Sequence, residues 1–144
     1  MYFGYYEHSL DDKGRLMIPA KLREGLLPGS PLYILRGFDG CVSVYSEEAF
    51  HKLEERLLSL PYEDKEARSM IRNILGSVVA LNVDKLGRIQ LPTLVLNKYH
   101  ISHNVVVLGV GNHFEIWDFD IYQAYEEGNS QKFEDIADQL VKRS

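Results

Sequence analysis

Short runs in which hydrophobic and polar residues alternate recur along the chain, a period of two that is typical of strands. In the first half these runs, together with turn residues, predict strands at about residues 7–10, 16–18, 32–36 and 41–45. In the second half they predict strands at about 78–83, 89–91, 105–109 and 114–117. Pro19 and Pro92 follow the second strand of each half, where proline ends a strand and starts a short helix. These short helices are expected at 20–26 and 93–99.

Apolar residues then recur every three or four positions, which predicts longer helices that close each half. In the first half Ser46 is the expected N-cap of one helix, which Pro61 ends, and a second helix at 64–75 is expected to end at Gly76. The residues expected to face the core are Phe50, Leu53, Leu57, Leu60, Ala67, Met70, Ile71 and Ile74. In the second half Asp118 caps a helix that ends near Gly128, and Ser130 opens the last helix. Their apolar positions are Ile121, Tyr122, Tyr125, Phe133, Ile136, Ala137 and Leu140. Strands with apolar helices docked on them predict an α+β protein.

The two halves of the chain resemble each other. Segment 11–19 (DDKGRLMIP) returns as 84–92 (DKLGRIQLP), with aspartate, glycine, arginine and proline recurring at an offset of 73. The later strands, 33–37 and 42–46, return at 105–109 and 114–118 with an offset of 72. Two ordered blocks with nearly equal offsets indicate an internal duplication. The repeats are predicted at 1–75 and 76–144.

The motif D-x-x-G-R occurs once in each repeat and predicts a tight turn. Its glycine (Gly14 or Gly87) supplies a positive φ at little steric cost. Its aspartate can bond the arginine four residues later, which would fix the turn and aim the guanidinium outward. The pairs are Asp11 with Arg15 and Asp84 with Arg88. The alternative is that each arginine only braces its hairpin, because surface ion pairs are common and weak.

The charge of the chain is acidic overall but basic around the first motif. With 16 Lys and Arg against 21 Asp and Glu, the net charge of −5 excludes a protein that coats nucleic acid by bulk positive charge. Lys13, Arg15, Lys21 and Arg23 nevertheless follow one another with no acid among them. An arginine on a two-stranded ribbon can reach guanine or phosphate in a major groove. The sequence therefore permits a local DNA-binding surface.

Segment 8–23 (HSLDDKGRLMIPAKLR), with the second motif at 84–88, resembles the MraZ family of bacterial transcriptional regulators. The resemblance implies tandem AbrB-type domains in one intertwined unit: a pseudo-twofold β-barrel, of double-psi or swapped-hairpin topology, with flanking helices. In single-copy relatives two chains interleave to build such a barrel. The resemblance also implies ring-shaped homo-oligomers in the cytoplasm, associated with the nucleoid. These would bind double-stranded DNA at repeated promoter sites upstream of the cell-division and cell-wall gene cluster, which includes the family member's own gene.

The resemblance assigns roles to the motif residues. The expected DNA-binding residues are Lys13, Arg15, Lys21, Arg23, Lys85 and Arg88. The expected turn-orienting residues are Asp11, Gly14, Asp84 and Gly87. Leucines at 94 and 96 stand where the first repeat has Lys21 and Arg23, from which we expect the first repeat to dominate DNA binding. Oligomer contacts are expected among aromatic residues, with core packing as the alternative; the candidates are Tyr2, Phe3, Tyr5 and Tyr6.

Other functional classes find little support in the sequence. We expect no membrane-spanning helix, no signal peptide and no disulfide, which together favour the cytoplasm. His100 and His103 lack the further ligands of a metal site, and no catalytic motif is present, so no enzyme activity, metal, cofactor or small-molecule substrate is expected. The alternative function is a protein-interaction scaffold or an antitoxin-like AbrB relative without promoter-specific binding, which the charge of −5 leaves open.

Overall fold

A computed structural model describes residues 1–129 and 132–143. Its strands are β1 (Tyr2–Ser9), β2 (Arg15–Met17), β3 (Pro31–Arg36), β4 (Val42–Ser46), β5 (Val79–Asn82), β6 (Arg88–Gln90), β7 (Asn104–Gly111) and β8 (Phe114–Asp118). Its helices are α1 (Ala20–Arg23), α2 (Glu47–Leu58), α3 (Lys65–Leu75), α4 (Thr93–Lys98), α5 (Phe119–Asn129) and α6 (Phe133–Arg143). The predicted α+β class is confirmed. The expected N-cap at Ser130 lies outside the described residues.

Strand exchange joins the two repeats. Six strands form an antiparallel sheet in the order β1-β7-β8-β4-β3-β5, and β2 and β6 form a separate antiparallel ribbon. β1 pairs with β7 of the second repeat along its whole length, and β5 pairs with β3 of the first repeat. Each repeat therefore gives its first strand to the hairpin of the other.

The pairing register has the symmetry that a duplication predicts. At the centre of the ribbon Leu16 lies opposite Ile89, its own counterpart at an offset of 73. At the centre of the sheet Ser43 of β4 lies opposite Glu115 of β8, its counterpart at an offset of 72. Antiparallel pairing of equivalent residues is what a twofold axis requires, so the pseudo-twofold axis passes through both pairs.

The main core lies between the ribbon and one face of the sheet, and the opposite face packs against α2, α3 and α5. Alternation along β3 divides its side chains between the two faces: Leu32 and Ile34 enter the main core, and Leu35 packs under α2 and α3. A smaller cluster under α5 contains Cys41 and Trp117. Ser46 caps α2 by accepting a bond from the amide of Ala49, as predicted.

Asp118 likewise caps α5, as predicted. Its Oδ2 accepts a bond from the amide of Ile121, and its Oδ1 accepts bonds from the amide and hydroxyl of Ser102. These bonds compensate for the burial of this carboxylate.

Several element boundaries differ from the sequence-based predictions. β1 begins at Tyr2 and not near residue 7, because it pairs with β7 from that residue on. The sequence does not show this, since Phe3 and Tyr5 are exposed although apolar, which breaks the apolar alternation. α1 ends at Arg23 and not at residue 26, because Gly25 adopts a φ of +84°. Gly76 ends α3 as a right-handed C-cap residue, with φ −68°, and not as a residue beyond the cap.

Two predictions about helix burial are wrong. Met70 is 39% exposed, because it lies at the edge of the stripe that buries Ala67, Ile71 and Ile74. α6 buries none of its residues within the described part of the chain, so its apolar stripe is not docked on the sheet. Phe133, at the start of that stripe, is 75% exposed.

Candidate nucleic-acid interface

The β2–β6 ribbon has one buried face and one outward face. Leu16 and Ile89 point into the core and are 0% and 1% exposed. Because side chains alternate along a strand, their neighbours all point the other way. The ribbon therefore presents Arg15, Met17, Arg88 and Gln90 on one outward face.

The first turn is built around the carboxylate of Asp11. Its Oδ1 accepts hydrogen bonds from the amides of Lys13 and Arg15, each at 2.9 Å. Its Oδ2 accepts a bond from Nε of Arg15 at 2.6 Å. The amide of Gly14 bonds the Asp11 carbonyl, and its φ of +74° is the conformation that a glycine adopts without strain. The predicted aspartate–arginine bond is present.

The second turn repeats this geometry. Oδ1 of Asp84 accepts bonds from the amides of Leu86 and Arg88, and its Oδ2 accepts a bond from Nε of Arg88 at 2.9 Å. Gly87 has a φ of +84°. Gly14 and Gly87 also accept bonds at their carbonyls from Leu91 and Ile18 of the opposite repeat. These bonds fix the two turns relative to each other.

Both carboxylates remain charged to low pH. Hydrogen bonds from the backbone amide and the guanidinium of Arg15 lower the pKa of Asp11 to about 2. The equivalent bonds from Arg88 lower the pKa of Asp84. In the described part of the chain both arginines use only Nε for these hydrogen bonds, which leaves their terminal nitrogens for another acceptor.

Each short helix packs on the turn of the other repeat. The side chain of Arg23, from α1, lies over Gly87 of the second turn. Leu96, its counterpart on α4, lies over Gly14 of the first turn. Arg23 follows the first motif in the sequence, but in the fold it lies against the second turn. The two repeats are intertwined, so that each short helix packs on the turn of the other repeat.

The remaining sequence-predicted cations lie at the surface. Lys13, Lys21 and Lys85 are exposed, and the side chains of Arg15 and Arg88 are 29% and 24% exposed. Segments 11–23 and 84–88 together hold six Lys and Arg against three Asp, which leaves the rest of the chain acidic. The surface that carries the two motifs is therefore locally basic.

The sequence-predicted site residues leave out two members of the outward face. Met17 is partly exposed, and Gln90 donates a bond from Nε2 to the carbonyl of Lys13 in the opposite repeat. Alternation along the predicted strands puts both of these residues on the side opposite Leu16 and Ile89. That signal was in the sequence.

Other chemistries have few candidates among residues 1–129 and 132–143. No three histidine, cysteine or acidic side chains there come together as metal ligands. Cys41 is buried, which raises the pKa of its thiol and keeps it protonated. None of the helices described combines the length and the apolar composition that crossing a membrane requires.

Comparison with known proteins agrees with the duplicated turn. A family model described as "MraZ protein, putative antitoxin-like" matches residues 1–73 and again residues 74–144. A Mesoplasma florum protein named Transcriptional regulator MraZ is 39% identical over 142 residues, which cover 99% of this chain and 97% of the relative. Proteins of the same name from Ligilactobacillus salivarius and Caldanaerobacter subterraneus are 38% and 39% identical over 98% and 97% of this chain, and over 97% and 96% of their own lengths.

The fold and the repeated motif thus define a tandem-repeat α+β protein of the AbrB-like type. The chain belongs to the MraZ family of transcriptional regulators.

Proposed function

We propose that this chain is a sequence-specific DNA-binding regulator that contacts duplex DNA through the outward face of its β2–β6 ribbon and the two adjoining turns. The observation that carries the proposal is the antiparallel pairing of β2 with β6, which puts Arg15 and Arg88 on one outward face. A two-stranded ribbon fits the major groove of B-DNA, which is about 12 Å wide. The supporting turns are rigid, because each is held by several hydrogen bonds to a charged carboxylate.

The chemistry of the two arginines suits such a contact. Because Asp11 and Asp84 occupy only Nε, the terminal nitrogens remain for guanine O6 and N7 or for a phosphate oxygen. The exposed lysines at 13, 21 and 85 are suited to phosphates, where they fix the position of the protein without reading the bases. The oriented arginines thus provide specificity, and the charges of the lysines provide affinity.

One such surface binds DNA weakly, because the electrostatic contribution grows with the number of phosphates that are neutralised. The acidic remainder of the chain weakens it further. A ring-shaped homo-oligomer solves this problem, since several copies on repeated sites act at a high effective concentration. From the family resemblance we propose that the oligomer occupies repeated promoter sites upstream of the cell-division and cell-wall gene cluster, in the cytoplasm and at the nucleoid.

Two exposed apolar surfaces within the described residues are candidates for contacts between copies. One is the stripe of α6, comprising Phe133, Ile136 and Leu140, and the other is on edge strand β1, where Phe3 is exposed and Tyr5 is partly covered by the ring of Tyr122. Tyr2 and Tyr6 pack against the main core of their own chain. These two of the four aromatic candidates therefore fit the alternative, which was core packing.

Binding to the region upstream of the chain's own gene tests the proposal. The native protein should shift a duplex with the repeated sites, and its affinity should fall steeply as salt rises. Arg15→Ala should weaken the shift severalfold while the protein stays folded and its mass by light scattering stays unchanged. Arg72→Ala, which removes an exposed arginine of α3, is the matched control and should bind normally. Undiminished binding by Arg15→Ala would favour the protein-interaction scaffold or antitoxin-like alternative.

A further inference from the structure

We infer that the two turns contribute unequally to DNA binding, because Arg23 joins the second turn in one composite phosphate-binding contact. The first turn has a leucine in the equivalent place. This inference rests on the proposed function and concerns how the same surface is divided between its two halves.

The first observation is the close approach of Arg23 to the second turn. A Cβ atom at Gly87 would lie 2.5 Å from Nη1 and 2.7 Å from Cδ of Arg23. Carbon atoms do not approach so closely, so the absence of a side chain at Gly87 is what lets the arginine lie on the turn. The guanidinium of α1 is thereby held beside the segment that contains Lys85 and Arg88.

The second observation is the contrast at the first turn. There the nearest side-chain atom to a Cβ at Gly14 would be Cδ1 of Leu96, at 3.3 Å. Leu96 is the counterpart of Arg23 at an offset of 73, so equivalent places in the fold hold a methyl group in one case and a guanidinium in the other. The asymmetry is therefore one of charge, on a backbone that is nearly symmetric.

The third observation concerns the hydrogen bonds of Arg23. Its Nε is shielded from solvent and has no acceptor within the residues that the structure describes. A buried donor without an acceptor is uncommon in folded proteins. The positive charge of the Arg23 guanidinium is shared with its terminal nitrogens. A phosphate oxygen that accepts hydrogen bonds from those nitrogens would compensate for the hydration that the guanidinium has lost.

The local charges point in the same direction. The second turn with Arg23 combines three cations, including Lys85 and Arg88, with Asp84 as the acid of its own motif. The first turn combines Lys13 and Arg15 with two acids, at positions 11 and 12. The second contact thus carries a net positive charge and the first is close to neutral. The first repeat supplies Arg23, but the fold brings its charge to the second turn.

Double-mutant cycles on the full-length protein test the inference, with fluorescence anisotropy on a duplex carrying the repeated sites. Arg23→Ala and Arg88→Ala should each weaken binding about tenfold, and the double variant should bind little worse than either, because both arginines act in one contact. Arg23→Ala with Arg15→Ala should instead give the product of the two separate losses. The inference would be overturned if the losses of Arg23→Ala and Arg88→Ala multiplied in their double variant, whatever the result for Arg23→Ala with Arg15→Ala.

A gain of affinity provides the second test. Leu96→Arg should give the first turn its missing cation, tighten binding severalfold and steepen the dependence of log affinity on log salt by about one. Leu96→Gln is the matched uncharged control and should do neither. Melting temperatures confirm that the variants fold. If Leu96→Arg binds no tighter than Leu96→Gln, the inference is wrong even where the native protein binds DNA. If the native protein binds no duplex, the proposed function fails with it.

Discussion

Nη1 of Arg88 lies 4.0 Å from Oδ2 of Asp11, although the two residues belong to different repeats. Oδ2 is the same oxygen that accepts the 2.6 Å bond from Arg15. Asp11 thus lies close to both guanidinium groups of the ribbon, whereas the guanidinium contacts described for the carboxylate of Asp84 are with Arg88 alone. The two turns are electrostatically coupled through one carboxylate.

This coupling predicts that Asp11→Asn impairs recognition more than Asp84→Asn does. Loss of a negative charge alone raises affinity for any duplex, but loss of orientation at both arginines lowers discrimination between sequences. We expect the ratio of affinities for the repeated sites and for a random duplex to fall roughly tenfold in Asp11→Asn and less in Asp84→Asn. Competition binding measures this ratio, and an equal fall in both variants would contradict the coupling.

The pKa of Asp11 predicts how the turn depends on pH. Folding lowers this pKa from its ordinary value of about 3.9 to about 2, because the amide and the guanidinium of Arg15 donate to the carboxylate. The stabilisation is therefore fully present above about pH 4 and is lost as pH falls towards 2. The difference in melting temperature between native protein and Asp11→Asn should be constant from pH 5 to 7 and shrink below about 4. A difference that disappears by pH 5 would show that this pKa is not lowered.

The ribbon depends on its buried face for stability. Leu16 is fully buried at the pseudo-twofold axis, so Leu16→Ala should lower the free energy of unfolding by about 2–5 kcal/mol. Met17→Ala removes a partly exposed side chain from the same strand and should cost less than about 1 kcal/mol. Urea unfolding measures both. Similar losses in the two variants would mean that the alternation of β2 is assigned incorrectly.

The two turn glycines should differ in function but not in strain. Gly14→Ala and Gly87→Ala each place a side chain at positive φ and should each lower the free energy of unfolding by about 1–2 kcal/mol. Only Gly87→Ala also displaces a cation, that of Arg23. We therefore expect a larger loss of DNA affinity in Gly87→Ala, measured by anisotropy at a temperature where both variants are folded. Equal affinities would indicate that the position of Arg23 does not matter.

The exposed stripe of α6 predicts an effect on assembly. Replacing Ile136 and Leu140 by lysine adds charge to an apolar surface and should reduce the mass measured by light scattering. Affinity for an array of repeated sites should fall towards that for a single site, because effective concentration is lost. Leu58→Lys is the control, since Leu58 is at least as exposed on α2 as either stripe residue, and it should leave the mass unchanged. An unchanged mass in the stripe variant would exclude α6 from the contacts between copies.

Local features of the sequence were sufficient for most of the strands, for the N-caps of α2 and α5 and for the two turns. The aspartate–arginine bonds follow from a spacing of four residues across a glycine turn, and the caps at Ser46 and Asp118 follow from side-chain chemistry next to the backbone. Hydrophobic alternation predicted the two strands of the ribbon. Each of these inferences needs only residues that are close together in the chain.

The features that could not be predicted from the sequence depend on pairing between residues that are far apart in the chain. The place of Arg23 against Gly87 depends on which strands exchange, and no local pattern records that choice. The exposure of Met70 likewise depends on how far α3 is rotated about its axis against the sheet. The apolar stripe in the sequence does not determine that rotation closely enough to say whether Met70 is buried. The extent of β1 depends on its partner β7, which supplies hydrogen bonds to a strand without alternation.

The exchange of β1 and β5 within one chain has a consequence for the variation that the surface permits. Two identical chains interleaved in the same way would carry identical turns, and every substitution would appear twice. A single chain holds each half separately, so a change in one turn leaves the other intact. The ribbon can therefore have a polarity: a partner that contacts both turns meets Arg23 on one side and Leu96 on the other, in a fixed order.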